Sequence, residues 1–234
     1  ILIIGKFLMN DDISHLLNEL NDAQREAVAA PLGQQRVLAG AGSGKTRVLV
    51  HRIAWLCQVE DAGAHSILAV TFTNKAAAEM RERARGLVGK AAGEVLISTF
   101  HALGVRILRE DGQALGLKPR FSILDSQDVL ALLKDCATTT DNALARQWQW
   151  AISGWKNAGL DAAAALAQAS SEGERQTALL MQQYQERLTA YQSVDFDDLI
   201  GLPLRLLQQH PEVAERWQQR LAHVLVDEYQ DTNH

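Results

Sequence analysis

The sequence predicts an α/β fold, a parallel sheet interrupted by an all-α insertion, on three observations. Four short, apolar, partly β-branched runs read as buried strands: Arg36–Ala39, Ile67–Phe72, Val95–Phe100 and His223–Val226. Helical periodicity separates the first three, and strand–helix alternation of this kind belongs to α/β layers. Between Gly104 and about Gln208 the rhythm changes to helical periodicity with almost no strand signal. The expected organisation is a sheet domain begun by residues 1–103, an insertion over 104–207, and a return to the sheet over 208–234.

The elements follow in order. Ile1–Leu8 is a short apolar run without a basic region before it or a cleavage site after it, and reads as an extension ahead of a natural start at Met9. After the first strand, Val48, Leu49, Ile53, Leu56 and Cys57 recur at helical spacing, and after the second Ala76, Met80, Ala84 and Leu87 do the same. In the insertion, Asp125 or Ser126 caps a helix carrying Val129, Leu130, Leu132, Leu133 and Cys136. Leu144, Trp148, Ile152 and Trp155 form a second stripe and Leu180, Tyr184, Leu188 and Tyr191 a third, read as helix–helix core rather than as a base-stacking surface. The Ala-rich Asp161–Ser171 stretch is a helix or a loop. Pro203 is expected to kink or end the helix over Leu199–Leu207, and Pro211 to occupy the first turn of a helix carrying Val213, Trp217 and Leu221.

Composition bounds the class. With 234 residues, 47% hydrophobic and 22% charged, the chain is globular, which excludes a disordered tail, a collagen-like repeat and a disulfide mini-protein. The net charge of −5 is spread as +1 over residues 1–103, −3 over 104–207 and −3 over 208–234. Composition therefore does not announce a nucleic-acid binder, and any such contact has to be local. Cys57 and Cys136 lack metal-ligand spacing and read as buried thiols in a reducing compartment. No run approaches the roughly 18 apolar residues of a membrane span, so the expected place is the cytoplasm.

The strongest chemical signal is Ala39-Gly-Ala-Gly-Ser-Gly-Lys45-Thr46, between a strand and a helix. Glycines let backbone N–H groups of Ala41, Gly42, Ser43 and Gly44 converge on phosphate oxygens. The helix N-terminus adds positive potential, Lys45 reaches the β/γ-phosphates, and the Thr46 hydroxyl can ligate magnesium. The first position is Ala39 where the general pattern has Gly. The second signal is Val224-Leu-Val-Asp227-Glu228, a strand delivering two carboxylates at its carboxyl end, where α/β sheets bind ligands. Asp227 can hold magnesium opposite Thr46, and Glu228 can orient and deprotonate an attacking water. A guanine-specific site would need Asn-Lys-x-Asp, and Asn74-Lys75-Ala76-Ala77 has Ala in the last place.

These residues carry a family resemblance. LNDAQREAV at 20–28, AGAGSGKTR at 39–47, VTFTNKAAAEM at 70–80, ISTFHALG at 97–104 and LVDEYQDTN at 225–233 together resemble the amino-terminal part of UvrD/Rep-type superfamily 1 DNA helicases, from about Leu20 to Asn233. ISGWKNAGL at 152–160 and VDFDDLIGLP at 194–203 are more similar to Rep, and LVHRIAWL at 49–56 to UvrD, with Rep favoured. The resemblance implies a RecA-like P-loop NTPase sheet and ATP with magnesium as cofactors. It also implies single-stranded DNA and single-strand/duplex junctions as partners, and links to DNA replication and repair. It implies that Gln24 reads the adenine edge, that Arg47 approaches the nucleotide's sugar and phosphates, and that Phe72, Asn74, Thr99 and His101 contact the DNA strand. Sheet core is the alternative for Phe72, and a buried structural histidine the alternative for His101. Family members carry arginine fingers in a second motor domain, which has no counterpart before His234. The expectation is thus an amino-terminal fragment of an ATP-dependent 3′-to-5′ DNA helicase, inactive by itself. A nucleotide- or DNA-binding regulatory module without turnover and a subunit of a helicase–nuclease are the alternatives.

Overall fold

The computed structural model describes residues 13–232. The expected extension at 1–8, Met9, Asn233 and His234 lie outside the described residues. The chain forms two compact units, one from the chain up to Thr99 and from Trp217 onward, the other from Phe100 to Arg216.

The first unit is mixed α/β. Helix α1 (Asp22–Ala29) opens with a capping box between Asn21 and Gln24, and α2 (Lys45–Gln58) follows the glycine-rich loop. Strand β1 (Ile67–Thr71) leads to α3 (Asn74–Val88), whose N-cap Thr73 accepts from the Ala76 N–H at 3.0 Å, and then to β2 (Leu96–Thr99). The chain returns in β5 (His223–Val226), and the parallel sheet runs β2–β1–β5, with Leu68 opposite both Leu96 and Val224. All five residues of β1 are buried, as a central strand requires. Val50, Ile53 and Leu56 of α2 and Ala77, Met80 and Ala84 of α3 cluster with Ile67, Ala69 and Ile97 of the sheet.

Three of the four expected strands are present within a residue of their predicted ends. The fourth, Arg36–Ala39, is not a strand: Val37 is 51% and Leu38 82% exposed, and the described sheet pairs β5 only with β1. Four residues between polar Gln34-Gln35 and Gly40 gain ladder bonds and burial only against a neighbour, and they have none in this sheet.

The second unit begins with α4 (Phe100–Asp111). Five more helices follow, α5 (Ser126–Cys136), α6 (Asn142–Asn157), α7 (Ala162–Gln168), α8 (Glu172–Ala190) and α9 (Asp198–Gln209), and α10 (Pro211–Arg220) leads back to the first unit. Asp125 caps α5 by accepting from the N–H groups of Gln127 and Asp128, and Pro211 is the first residue of α10. The Ala-rich stretch is helical, α7 being capped by Asp161. Tyr184 is fully buried among Leu133, Ile152 and Met181, with Trp148 and Trp155 packed against the same cluster, whereas Tyr191 at the end of its stripe is exposed. The unit is not purely helical: β3 (Ser122–Ile123) and β4 (Ser193–Val194) form a two-residue parallel pair, too short for any periodicity to register. Lys156, Asp195, Asp198 and Tyr184 form a largely buried network. The Lys156 ammonium donates to Asp195 Oδ2 at 2.6 Å and Asp198 Oδ1 at 2.8 Å, and the Tyr184 hydroxyl donates to Asp195 Oδ2 at 2.8 Å.

Pro203 does not end α9, which continues to Gln209. Having no N–H, Pro203 cannot bond the Leu199 carbonyl four residues earlier. That carbonyl faces Gly104 of α4 so closely that a Cβ on Gly104 would lie 1.8 Å from it. The two helices therefore meet backbone to backbone, the geometry in which a Cα–H can point at a carbonyl oxygen. Gly104→Ala must separate α4 from α9, and a loss of about 1–3 kcal/mol or more is expected, measured by urea unfolding.

Candidate active site

The loop preceding α2 is shaped by its glycines. Gly42 has φ +75° and Gly44, the N-cap of α2, φ +85°, both in the left-handed region. The Ser43 N–H and hydroxyl both donate to the Gly40 carbonyl, at 3.3 and 2.7 Å, closing the turn. No side chain caps α2, so its first N–H groups are left to an external acceptor, and Ala41, Gly42 and Ser43 are exposed beside them.

Gln24 reaches this loop from α1. Its Oε1 accepts from the Asn21 N–H at 3.0 Å, and its Nε2 donates to the Ser43 carbonyl at 2.9 Å. Asn21, which sequence reasoning passed over, thus orients the Gln24 amide, and the Asn-x-x-Gln spacing of a capping box was the signal that could have found it. Arg47 donates to the Glu19 carbonyl at 3.4 Å.

The sheet brings the carboxylates to the same place. The Asp227 N–H donates to the Val70 carbonyl at 2.9 Å, so the ladder of β5 on β1 continues one residue past the strand. Asp227 is buried, and the Thr46 hydroxyl beside it favours its ionised form. Burial, and then the neighbouring Glu228 charge, push its carboxyl above the ordinary range. Glu228 follows in the left-handed conformation, φ +52° and ψ +48°, which turns its side chain back to within 3.5 Å of the Lys45 ammonium. A hydrogen bond from Gln230, another residue not anticipated, holds the Glu228 carboxyl below its usual range, with Lys45 adding to the effect.

Lys45 and Thr46 at the start of α2 and Asp227 and Glu228 at the end of β5 thus converge on one side of a phosphate-shaped loop. The hydroxyl and carboxylate suit a hard divalent cation. Among the described residues, no group of three or more His, Cys, Asp and Glu could hold a metal ion.

The other expected residues are placed as follows. Phe72 lies just past β1 and is 39% exposed, so it is not sheet core. Asn74 is exposed at the first position of α3, and Thr99 is buried at the end of β2, opposite Thr71. His101 belongs to the second unit, where it is exposed on α4 with its ring centroid 5.8 Å from that of Phe196, so it is not a buried structural histidine. Cys57 and Cys136 are free and half-buried, and burial pushes both thiols up.

A family model described as UvrD/REP helicase N-terminal domain matches residues 20–234. The chain belongs to this family. It is 45% identical to ATP-dependent DNA helicase UvrD1 of Mycobacterium leprae over 96% of its own length and 30% of that protein's. It is likewise 45% identical to DNA helicase II of Escherichia coli, over 95% of this chain and 31% of the relative. With ATP-dependent DNA helicase PcrA of Staphylococcus aureus the identity is 42% over 93% and 30%. The chain spans about three tenths of the length of these curated relatives. No helix among the described residues is long and apolar enough to cross a membrane.

The seating of Gln24 on the loop depends on Gly44, where a Cβ would lie 2.9 Å from Gln24 Nε2 on a backbone already at positive φ. Gly44→Ala is expected to cost about 1–2 kcal/mol of stability through the left-handed conformation. It should also weaken binding of a fluorescent nucleotide analogue, read by titration.

Proposed function

We propose that this chain is the ATP-hydrolysing amino-terminal part of a helicase that moves 3′ to 5′ on single-stranded DNA and opens duplex at single-strand junctions. In this reading the sheet unit is a RecA-like P-loop domain, formed by residues 1–103 and 208–234, and the helical segment 104–207 is an insertion in it. The observation that carries the reading is the meeting of Lys45 and Thr46 with Asp227 and Glu228, parts of the chain far apart in sequence, at a glycine-shaped loop. Family membership and the printed activity of the relatives, ATP-dependent DNA helicase, support it.

Each residue has a task. Backbone N–H groups of Ala41 to Gly44 and the Lys45 ammonium bind the β- and γ-phosphates of ATP, while Gln24 addresses the adenine edge and Arg47 the sugar and phosphates. Thr46 and Asp227 would hold magnesium, which when bound would screen the phosphate charge. Glu228, ionised and held by Gln230, accepts the proton of the attacking water. Phe72 offers a ring to a base, with Asn74, Thr99 and His101 on the strand's path. These contacts need no net basic surface, in keeping with the −5 charge.

Glu228→Gln in the complete protein is expected to keep ATP binding and lose about 10²–10⁴ in hydrolysis rate, because the amide keeps the shape and cannot take the proton. Steady-state ATPase with a parallel binding titration tests this, and near-normal turnover would sink the assignment. Phe72→Ala is expected to weaken single-strand affinity by about 1–3 kcal/mol, measured by fluorescence anisotropy on a labelled oligonucleotide. Unchanged affinity in a folded variant would remove Phe72 from the DNA path.

A further inference from the structure

Arg52 is a buried cation on α2, two turns beyond the phosphate loop, and it has a specific hydrogen-bond pattern. It is 8% exposed, and its Nη1 donates at 2.7 Å to both the Val28 and the Ala30 carbonyls. These are carbonyls at the C-terminal end of α1, the end where a helix carries negative potential and a cation is favoured. Desolvation lowers the guanidinium pKa, and the Glu60 charge opposes that effect.

α1 has eight residues, short of the roughly 12–15 at which an isolated helix becomes even marginally stable in water, so its position is set by what it rests on. Val28 packs with Leu20 and Val48, but apolar packing is non-directional and leaves the helix free to slide along its axis. Hydrogen bonds to end carbonyls do not. His51, beside Arg52, holds the turn that precedes α1, its Nδ1 lying 2.7 Å from the Leu16 carbonyl, and Arg25 of α1 donates to the adjoining Leu17 carbonyl at 3.0 Å. At the other end of α1, Gln24 touches the loop through Ser43. A shift of α1 therefore becomes a shift of the Gln24 amide against the phosphate loop.

We propose that Arg52 is a positioning residue for base selection: by holding the C-terminal end of α1 it sets the reach of Gln24 over the nucleotide site. This rests on the reading of Gln24 as the group that addresses the adenine edge. The role predicts a selective effect, because a misplaced Gln24 weakens the hold on adenine while Lys45, Thr46, Asp227 and Glu228 keep their places.

The test uses the complete protein with saturating single-stranded DNA, measuring KM and kcat for ATP and for GTP. Arg52→Lys keeps the charge and loses the planar fork, and Arg52→Met removes both. In Arg52→Lys the KM for ATP is expected to rise about three- to tenfold, the worth of one hydrogen bond, with kcat held within about twofold and the KM for GTP little changed. Added to Gln24→Ala, Arg52→Lys should raise the KM for ATP no further. Equal KM changes for ATP and GTP, no change in either, additivity with Gln24→Ala, or a lysine variant that does not fold would each overturn the proposal. In those cases a selective loss for ATP in Gln24→Ala alone would leave the reading of Gln24 standing. If Gln24→Ala does not narrow the preference for ATP over GTP, that reading fails and the proposal with it.

Discussion

Parallel pairing of β1 with β2 on one side and β5 on the other determines what the first unit can present. The register sets Thr71 beside Thr99, and the Asp227 N–H on the Val70 carbonyl carries the β5 pairing one residue further. In a parallel arrangement all strands end on the same side, so residues leaving β1, β2 and β5 emerge at one edge whatever their separation in sequence. Phe72, Thr99 and the Asp227–Glu228 pair owe their common edge to that pairing. A slip of one residue would turn Asp227 to the opposite face of its strand, away from the Thr46 hydroxyl.

The second unit is organised by a different constraint. Lys156 faces two carboxylates, one of which also accepts from Tyr184; Tyr184 and Asp195 are buried and Lys156 and Asp198 nearly so. The Asp195 and Asp198 N–H groups each donate to the other's carboxylate, so the turn between β4 and α9 is closed on itself around the ammonium. Such a network contributes less to stability than its short distances suggest, because desolvation offsets much of the attraction, yet removing one member strands the others without partners. Its effect is on geometry: the end of α6 and the start of α9 are held in one relation.

Legibility in the sequence followed the strength of local signals. The runs Ile67–Phe72, Val95–Phe100 and His223–Val226 become strands because each has a partner, and the Asp125 cap and Pro211 start follow from donors and rings that act within one turn. Arg36–Ala39 looked equally strand-like but has no neighbour in the sheet, and pairing is a property of two segments. β3 and β4 escaped notice for the converse reason, being two residues long and held by a distant partner. At the site, Lys45, Thr46, Asp227 and Glu228 stand out in the sequence through the glycine-rich run and the strand ending in two carboxylates, and the structure brings them together. Asn21, Gln230 and Arg52 do not stand out, since each acts by holding another group, and only coordinates show what is held. The ring of Pro203 alone predicts a kink or an end, without the backbone of Gly104 that faces the carbonyl it frees.

The ion pair between Lys45 and Glu228 means that the ammonium has an anion beside it before any phosphate comes near. In the proposed reading, arrival of a triphosphate sets two anions in competition for one cation, and the polyanion has more charge and more oxygens to offer. In that reading Glu228 is parted from the cation that, after Gln230, helps hold its carboxyl below the usual range. Lys45 would thus serve as a counter-ion shared between the loop and the end of β5, tying the surroundings of the carboxylate to what the loop holds.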